Sequence, residues 1–321
     1  MGTLGLSQSR RVPIMVIPLD RPVAADGIVQ PYVTGFFDLL GFASRIREYD
    51  QIQPGDSYKE VTRRVTAPIL ALVRARAMFE QAVKTNVRER TDMSTVSPEL
   101  REQGAGMMST PFIVQQFSDS LVLSCPFDVQ DRSRGALAVF NLFIVAANLM
   151  AGCLAAGVPI RGAIEIGYGT VIAWRGAQEL VGSSGMKAYE LERTAGWPRI
   201  LIGKELFDDL WTQRAQDPRR HAAASQDAGF AKHCLRVVLD EKEGTHSLDW
   251  LHHAFGSSRV SDWSSITGLV SATCDSQIQE ASRRVDAKVE GRWKRVKDYV
   301  EEGVRKLAAH TRSLEESTER S

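Results

Sequence analysis

Apolar and polar positions along the chain repeat with two different periods, and the switches between them outline the elements. Tyr32 to Phe42, YVTGFFDLLGF, is an apolar run rich in aromatic and β-branched residues, broken by Asp38 and closed by Gly41, which predicts a strand over Tyr32–Leu40 ending in a turn. Tyr58 to Val87 places apolar residues at helical spacing, with Pro68 as a possible kink. Residues 88 to 110 are polar, contain Gly104 and Gly106, and read as a loop. Phe112 to Ser124, FIVQQFSDSLVLS, predicts two short strands with Asp119 at the turn. Helix is expected from about Arg134 to Ala156. Ile160 to Trp174 alternates small and apolar residues with Gly162, Gly167 and Gly169, a pattern for two strands joined by a glycine turn. A helix restarts over Gly185–Arg193, and Arg199–Ile202 and Leu235–Leu239 read as strands. From Ile278 a stripe of Ala281, Val285, Val289, Trp293, Val296, Val300, Val304 and Leu307 predicts one long amphipathic C-terminal helix. Interleaved strands and helices make this an α+β or α/β chain.

Composition narrows the classes. Among 321 residues, 40 basic against 39 acidic side chains leave a formal net charge of +1, which argues against a general nucleic-acid or membrane-surface binder. Cys125, Cys153, Cys234 and Cys274 are scattered without a CxxC pair, the pattern of reduced, buried cysteines in a cytosolic protein rather than a structural zinc site. The N-terminal stretch lacks the apolar core of a signal peptide. Gly135 to Ile160 carries no charge and is long enough to span a bilayer. Asn141, Asn148, Gly152, Gly157 and Pro159 interrupt it, and a central helix buried on all sides is the preferred reading. The expected organisation is an irregular arm over residues 1–30, a main domain over 31–270, and a helical tail over 275–321. The tail's apolar stripe suits either its own domain or a second subunit.

Asp38 and Asp119 are the candidate chemistry. A carboxylate inside an apolar run is costly to bury unless a basic side chain or a cation pairs with it. Hard divalent cations take oxygen ligands, and phosphoryl chemistry uses two of them. The amides of Leu39, Leu40, Gly41 and Phe42 could cradle phosphate oxygens where the strand turns into a helix. The plainer alternative is that each aspartate caps a turn.

The order FxDxLGF, then SDS in a hairpin, then RGAIxxG, then GxxAYELE resembles the class III nucleotidyl cyclase catalytic domain, from about Tyr32 to Ile202. Around FxDxLGF, FSDS, RGAI and AYELE the chain looks similar to the pyrimidine cyclases of the Pycsar antiphage system. The resemblance implies a ferredoxin-like α+β domain, with a mixed, mostly antiparallel sheet flanked by helices. It implies two Mg²⁺ or Mn²⁺ ions held by Asp38, Asp119 and the Leu39 carbonyl. It also implies UTP or CTP as substrate, a homodimer with shared active sites, a bacterial cytoplasmic location, and a separate effector that senses the cyclic product. The same alignment puts Glu179 at the base-selecting acidic position. Met186 falls where that family has a transition-state asparagine, Glu190 where it has an arginine, and Ile113 near its adenine-reading lysine. These departures favour a base other than adenine, and they equally suit an inactive cyclase-like module or a purine cyclase with a different base reader.

Other residues carry paired readings. Tyr49 could read a pyrimidine edge or simply pack. Arg161 could contact phosphates or form an ion pair with Glu165 or Glu192. Arg74 and Arg76 could add charge for a triphosphate or be surface residues, and Lys187 aligns near the nucleotide. His252 and His253 read as structural.

Overall fold

The apolar run expected to be a strand becomes the middle of the sheet, β2 (Gln30–Leu39), and its two faces are set by the period of two. The computed structural model describes residues 24–25, 28–91, 112–174, 177–214, 231–232, 234–241, 244–252 and 263–319. The remaining strands are β1 (Ala24–Ala25), β3 (Ile113–Phe117), β4 (Ser120–Pro126), β5 (Ile160–Trp174), β6 (Ala177–Gly182), β7 (Ile200–Ile202), β8 (Val238–Asp240) and β9 (His246–Leu248). Their order is β3-β4-β2-β5-β7-β9-β8, with β1 and β6 also pairing with β5. Among the described strands only β5 and β7 pair in parallel. The result is an α+β architecture, a mixed and mostly antiparallel sheet flanked by helices.

The longer helices are α1 (Phe42–Arg47), α2 (Tyr58–Thr91), α3 (Arg132–Ala155), α4 (Ser183–Glu192), α5 (Lys204–Arg214), α6 (Trp263–Arg283) and α7 (Ala287–Glu319), with a 3₁₀ turn over Glu48–Gln51. Val33, Phe37 and Leu39 point into the main core, shared with Leu142, Phe143 and Val139 of α3. The opposite face of β2 carries Thr34, Phe36 and Asp38. Thr34 hydrogen-bonds Ser124 and Ser184, and Phe36 meets Tyr189 edge-on, so α4 covers this second face. The uncharged run is indeed the central helix: α3 is long and apolar enough to cross a membrane, yet 78% of its most apolar window is buried inside the protein.

Four expectations change. Ile160–Trp174 is one continuous strand, not two joined by a glycine turn. Neighbours extend its ladder along its whole length, β2 over Ile160–Gly169 and β6 over Gly169–Trp174. Its glycines serve close approach instead: a Cβ on Gly167 would lie 2.7 Å from the Ser184 amide nitrogen. Second, α2 continues through Pro68 and the expected start of the loop to Thr91; residues 92–111 lie outside the described residues. The strand expected over Leu235–Leu239 is confined to Val238–Asp240, residues 234–236 being helical.

The fourth change is in the tail. The stripe does not form one helix, because α6 ends at Arg283 and α7 begins at Ala287. The Val285 amide donates to the Ser282 carbonyl and the Asp286 amide to the Ala281 carbonyl, with Val285 at φ 58°. This is the left-handed helix stop that glycine usually occupies. The two helices fold back on each other, and Val270 and Cys274 of α6 and Trp293, Val296 and Val300 of α7 are buried in the main core. The tail therefore packs on its own chain. Val285 is 90% exposed, so its side chain contributes no burial there. Val285→Gly is expected to raise stability by roughly 0.5–1 kcal/mol: the left-handed penalty for a side chain is about 1–2 kcal/mol, and glycine's extra unfolded entropy offsets part of it. Urea unfolding of the two proteins measures the difference.

Candidate active site

Asp38 is placed by register. It stands opposite Ser120 on β4 and Arg161 on β5, and directly opposed residues of antiparallel strands share a face. The Ser120 hydroxyl donates to Asp38 Oδ1 at 3.2 Å, and Arg161 Nη2 donates to Oδ2 at 3.3 Å. Asp119 sits in the two-residue turn between β3 and β4, and its carbonyl accepts from the Leu39 amide. Arg76 Nη2 donates to the Ser118 carbonyl, tying α2 to the same turn. Burial raises the pKa of Asp38 above the usual carboxylate value, and the neighbouring Asp119 charge raises it further, against the opposing pull of Arg161. Two carboxylates held together against mutual repulsion are an arrangement that a cation relieves.

Behind Asp38 lies a buried relay. Arg161 also forms an ion pair through Nε with Glu192, the last residue of α4, which is 1% exposed. Glu165 takes no part, because its carboxylate accepts the amides of Ile166 and Leu206. Burial pushes the Glu192 carboxyl up to about 7, with Arg161 opposing and Asp38 adding to the rise. The folded chain thus binds this proton more tightly than the unfolded one. The stability that Glu192 contributes is fully present below pH 4.5 and is lost as pH rises through about 7. The melting temperature should fall between pH 5 and pH 8, and Glu192→Gln should flatten that share of the slope. A thermal scan across pH that is equally steep in the variant would contradict this assignment.

Asp38, Leu39, Leu40, Gly41, Phe42, Asp119 and Arg161 all line one cleft of about 770 Å³ at the end of the sheet. The amide assignments change, however. The Leu39 amide donates to the Asp119 carbonyl at 3.2 Å and the Leu40 amide to the Pro159 carbonyl at 2.9 Å. These two donors are already committed, and neither is available to a phosphate. Gly41, at φ 83°, turns the chain into α1 in a conformation that suits glycine.

Two further candidates lie elsewhere. Tyr49 is in a 3₁₀ turn, where its hydroxyl donates to the Val65 carbonyl at 2.8 Å; its donor is committed and it does not line the cleft. Glu179 is an exposed residue of β6 opposite Ile172, also away from the cleft lining. Lys187 pairs with Glu205 at 2.7 Å. Arg74, Met186 and Glu190 are exposed, Ile113 is buried on β3, and His252 is exposed with its amide bonded to Asp249. His253 lies outside the described residues.

Sequence reasoning missed most of the cleft's basic side chains. Arg63 and Arg64 of α2 line it in place of Arg74 and Arg76, and Arg45 joins them from α1. Arg284, Lys288 and Arg292 reach it from the α6–α7 hairpin. Their only signal was a spacing of four, on the polar side of the tail stripe.

Among the described residues no cluster of three or more His, Cys, Asp or Glu side chains could enclose a metal ion. The donor set still fits Mg²⁺ or Mn²⁺, which are typically held by one or two carboxylates together with waters and substrate phosphates.

No family model matches the chain, and no curated protein matches it. Among solved structures the neighbours are nucleotide cyclase domains. The adenylyl cyclase CyaB of P. aeruginosa is 16% identical over 58% of this chain and 82% of that one, with a TM-score of 0.35. The monomeric guanylyl cyclase domain of the RhoGC fusion protein from the aquatic fungus Blastocladiella emersonii is 14% identical over 70% and 96%, with a TM-score of 0.38. At identities and scores this low, the chemistry rests on this chain's own residues.

Proposed function

We propose that the chain is a nucleotidyl cyclase that converts UTP into 3′,5′-cyclic UMP and pyrophosphate, with CTP and cyclic CMP as the alternative pair. The observation that carries the reading is the meeting of Asp38 and Asp119 in one cleft walled by arginines and a lysine. Two divalent ions held there by the two aspartates and the Leu39 carbonyl would make the ribose 3′-hydroxyl more acidic and neutralise charge at the α-phosphate. The chain's own part is positional. Arg161 and Ser120 orient the Asp38 carboxylate, and the basic side chains draw the triphosphate into line for displacement. The bond from O3′ to the α-phosphorus forms as the bond to the β-phosphate oxygen breaks. The hydroxyl proton passes to solvent, and pyrophosphate leaves.

Neither Tyr49 nor Glu179 lines this cleft, so neither reads a base there from within one copy of the chain. This fits a homodimer in which the second copy supplies that side of each of two equivalent sites. By the resemblance to Pycsar cyclases, the cyclic product would alert a separate effector during phage infection in the bacterial cytoplasm. One observation favours a second reading, a nucleotide-binding module without turnover: Arg161 and Ser120 already engage both Asp38 oxygens.

The test is incubation of the purified chain with each of the four ribonucleoside triphosphates and Mn²⁺, with products identified by mass. Cyclic UMP or cyclic CMP supports the proposal and names the base. A cyclic purine product removes the pyrimidine assignment, and binding without any product supports the module.

A further inference from the structure

The α6–α7 hairpin is firmly seated. Trp293 and Val300 are buried, the Tyr299 hydroxyl donates to Asp249 at 2.6 Å, and Lys297 pairs with Asp275 at 2.6 Å. From this support Arg284, Lys288 and Arg292 line the same cleft as Asp38 and Asp119; Lys288 and Arg292, four apart on α7, share one helix face, and Arg284 joins them from the turn between α6 and α7. The nearby acids do not neutralise them evenly. Glu280 pairs with Arg283 and Arg284, and the Asp286 carboxylate accepts the Val289 amide at the start of α7. Among the described residues, Arg45, Lys288 and Arg292 have no carboxylate partner within ion-pair distance, although Arg292 Nε donates to the Gly196 carbonyl. Burial holds the Arg45 pKa below its ordinary value, with Glu48 opposing and the Arg284 charge adding to the fall; burial and then Arg161 lower that of Arg292, with Asp286 opposing. Seven basic side chains line the cleft against the carboxylates of Asp38, Glu48, Asp119, Glu280 and Asp286, and cations in excess at one wall favour a polyanion of several phosphates, which supplies acceptors to several of them at once.

We propose that Arg284, Lys288 and Arg292 form a polyphosphate-binding wall that takes the β- and γ-phosphates of the substrate and then the pyrophosphate product. The inference rests on the cyclase reading for its substrate and extends it by assigning the hairpin a part in the site. Binding of nucleoside triphosphates over monophosphates would then depend on the C-terminal hairpin, far along the chain from either aspartate.

The experiment is calorimetric titration of the full chain with inorganic tripolyphosphate in the absence of divalent metal, together with UTP kinetics. Lys288 is exposed, so Lys288→Gln is expected to keep the wild-type melting temperature. It should bind tripolyphosphate about tenfold more weakly, one charge-assisted hydrogen bond being worth about that factor. Lys288→Arg should restore the affinity, and the KM for UTP should follow the same order. Unchanged tripolyphosphate affinity in both Lys288→Gln and Arg292→Gln overturns the wall. If the wild type binds tripolyphosphate through these residues yet cyclises no nucleotide, the wall stands and the cyclase reading falls. If it cyclises UTP and the variants match it in KM and in tripolyphosphate affinity, the reading stands and the wall falls.

Discussion

Asp38→Asn is expected to lower nucleotide turnover by at least about a thousandfold while leaving the melting temperature equal to or above that of the wild type. The activity estimate follows from the role: charge stabilisation by a bound ion is worth several kcal/mol, and each 1.36 kcal/mol is tenfold in rate. The stability direction follows from the site. Burial and the Asp119 charge both work against the Asp38 carboxylate, and the neutral amide removes that opposition while keeping the shape and an acceptor for Ser120. A residue that costs stability and supports activity is the pattern of a functional site. If Asp38 merely capped a turn, the variant would instead lose stability and keep its turnover. Paired melting curves and initial rates separate the two cases.

The second large effect is expected behind the site. Arg161→Leu should destabilise the fold by about 3–5 kcal/mol, the range for removing one partner of a buried ion pair. The cause is the orphan left behind: Glu192 is 1% exposed, and without Arg161 it has either to stay charged in the interior or to bind a proton. The loss should therefore be larger at pH 8 than at pH 6. The double variant Arg161→Leu/Glu192→Gln should recover most of the stability, because the stranded charge is gone. It should not recover turnover, since Asp38 would lack the guanidinium that holds Oδ2. Denaturant titrations of the single and double variants at the two pH values measure this coupling. Additive losses would show that the relay from Glu192 through Arg161 does not act as a unit.

How much of this was legible in the sequence depended on how local the determining interaction is. Asp38 and Asp119 were visible because a lone carboxylate stands out in an apolar run, and the hairpin turn at Asp119 is a short-range event. The turn at Gly41 was visible for the same reason. The glycines of β5 misled, because Gly167 serves a close approach to Ser184, a contact made only after α4 has folded over the sheet. The Leu39 and Leu40 amides were misassigned because their acceptors, on Asp119 and Pro159, are remote in sequence. Tyr49 was free on paper and bonded to Val65 in the fold. The tail stripe ran unbroken through Val285, and no glycine marked the stop between α6 and α7. That stop is what turns Arg284 and Lys288 from points on a long helix into part of the cleft wall.

The central claim is cyclisation at Asp38 and Asp119, and product stoichiometry tests it most directly. Wild-type chain would be incubated with UTP and Mn²⁺, and cyclic UMP and pyrophosphate would be quantified together. Equal amounts of the two, rising in step and absent with Asp38→Asn, are the predicted result. UMP or UDP in place of the cyclic product, or cyclic UMP formed undiminished by Asp38→Asn, would contradict it.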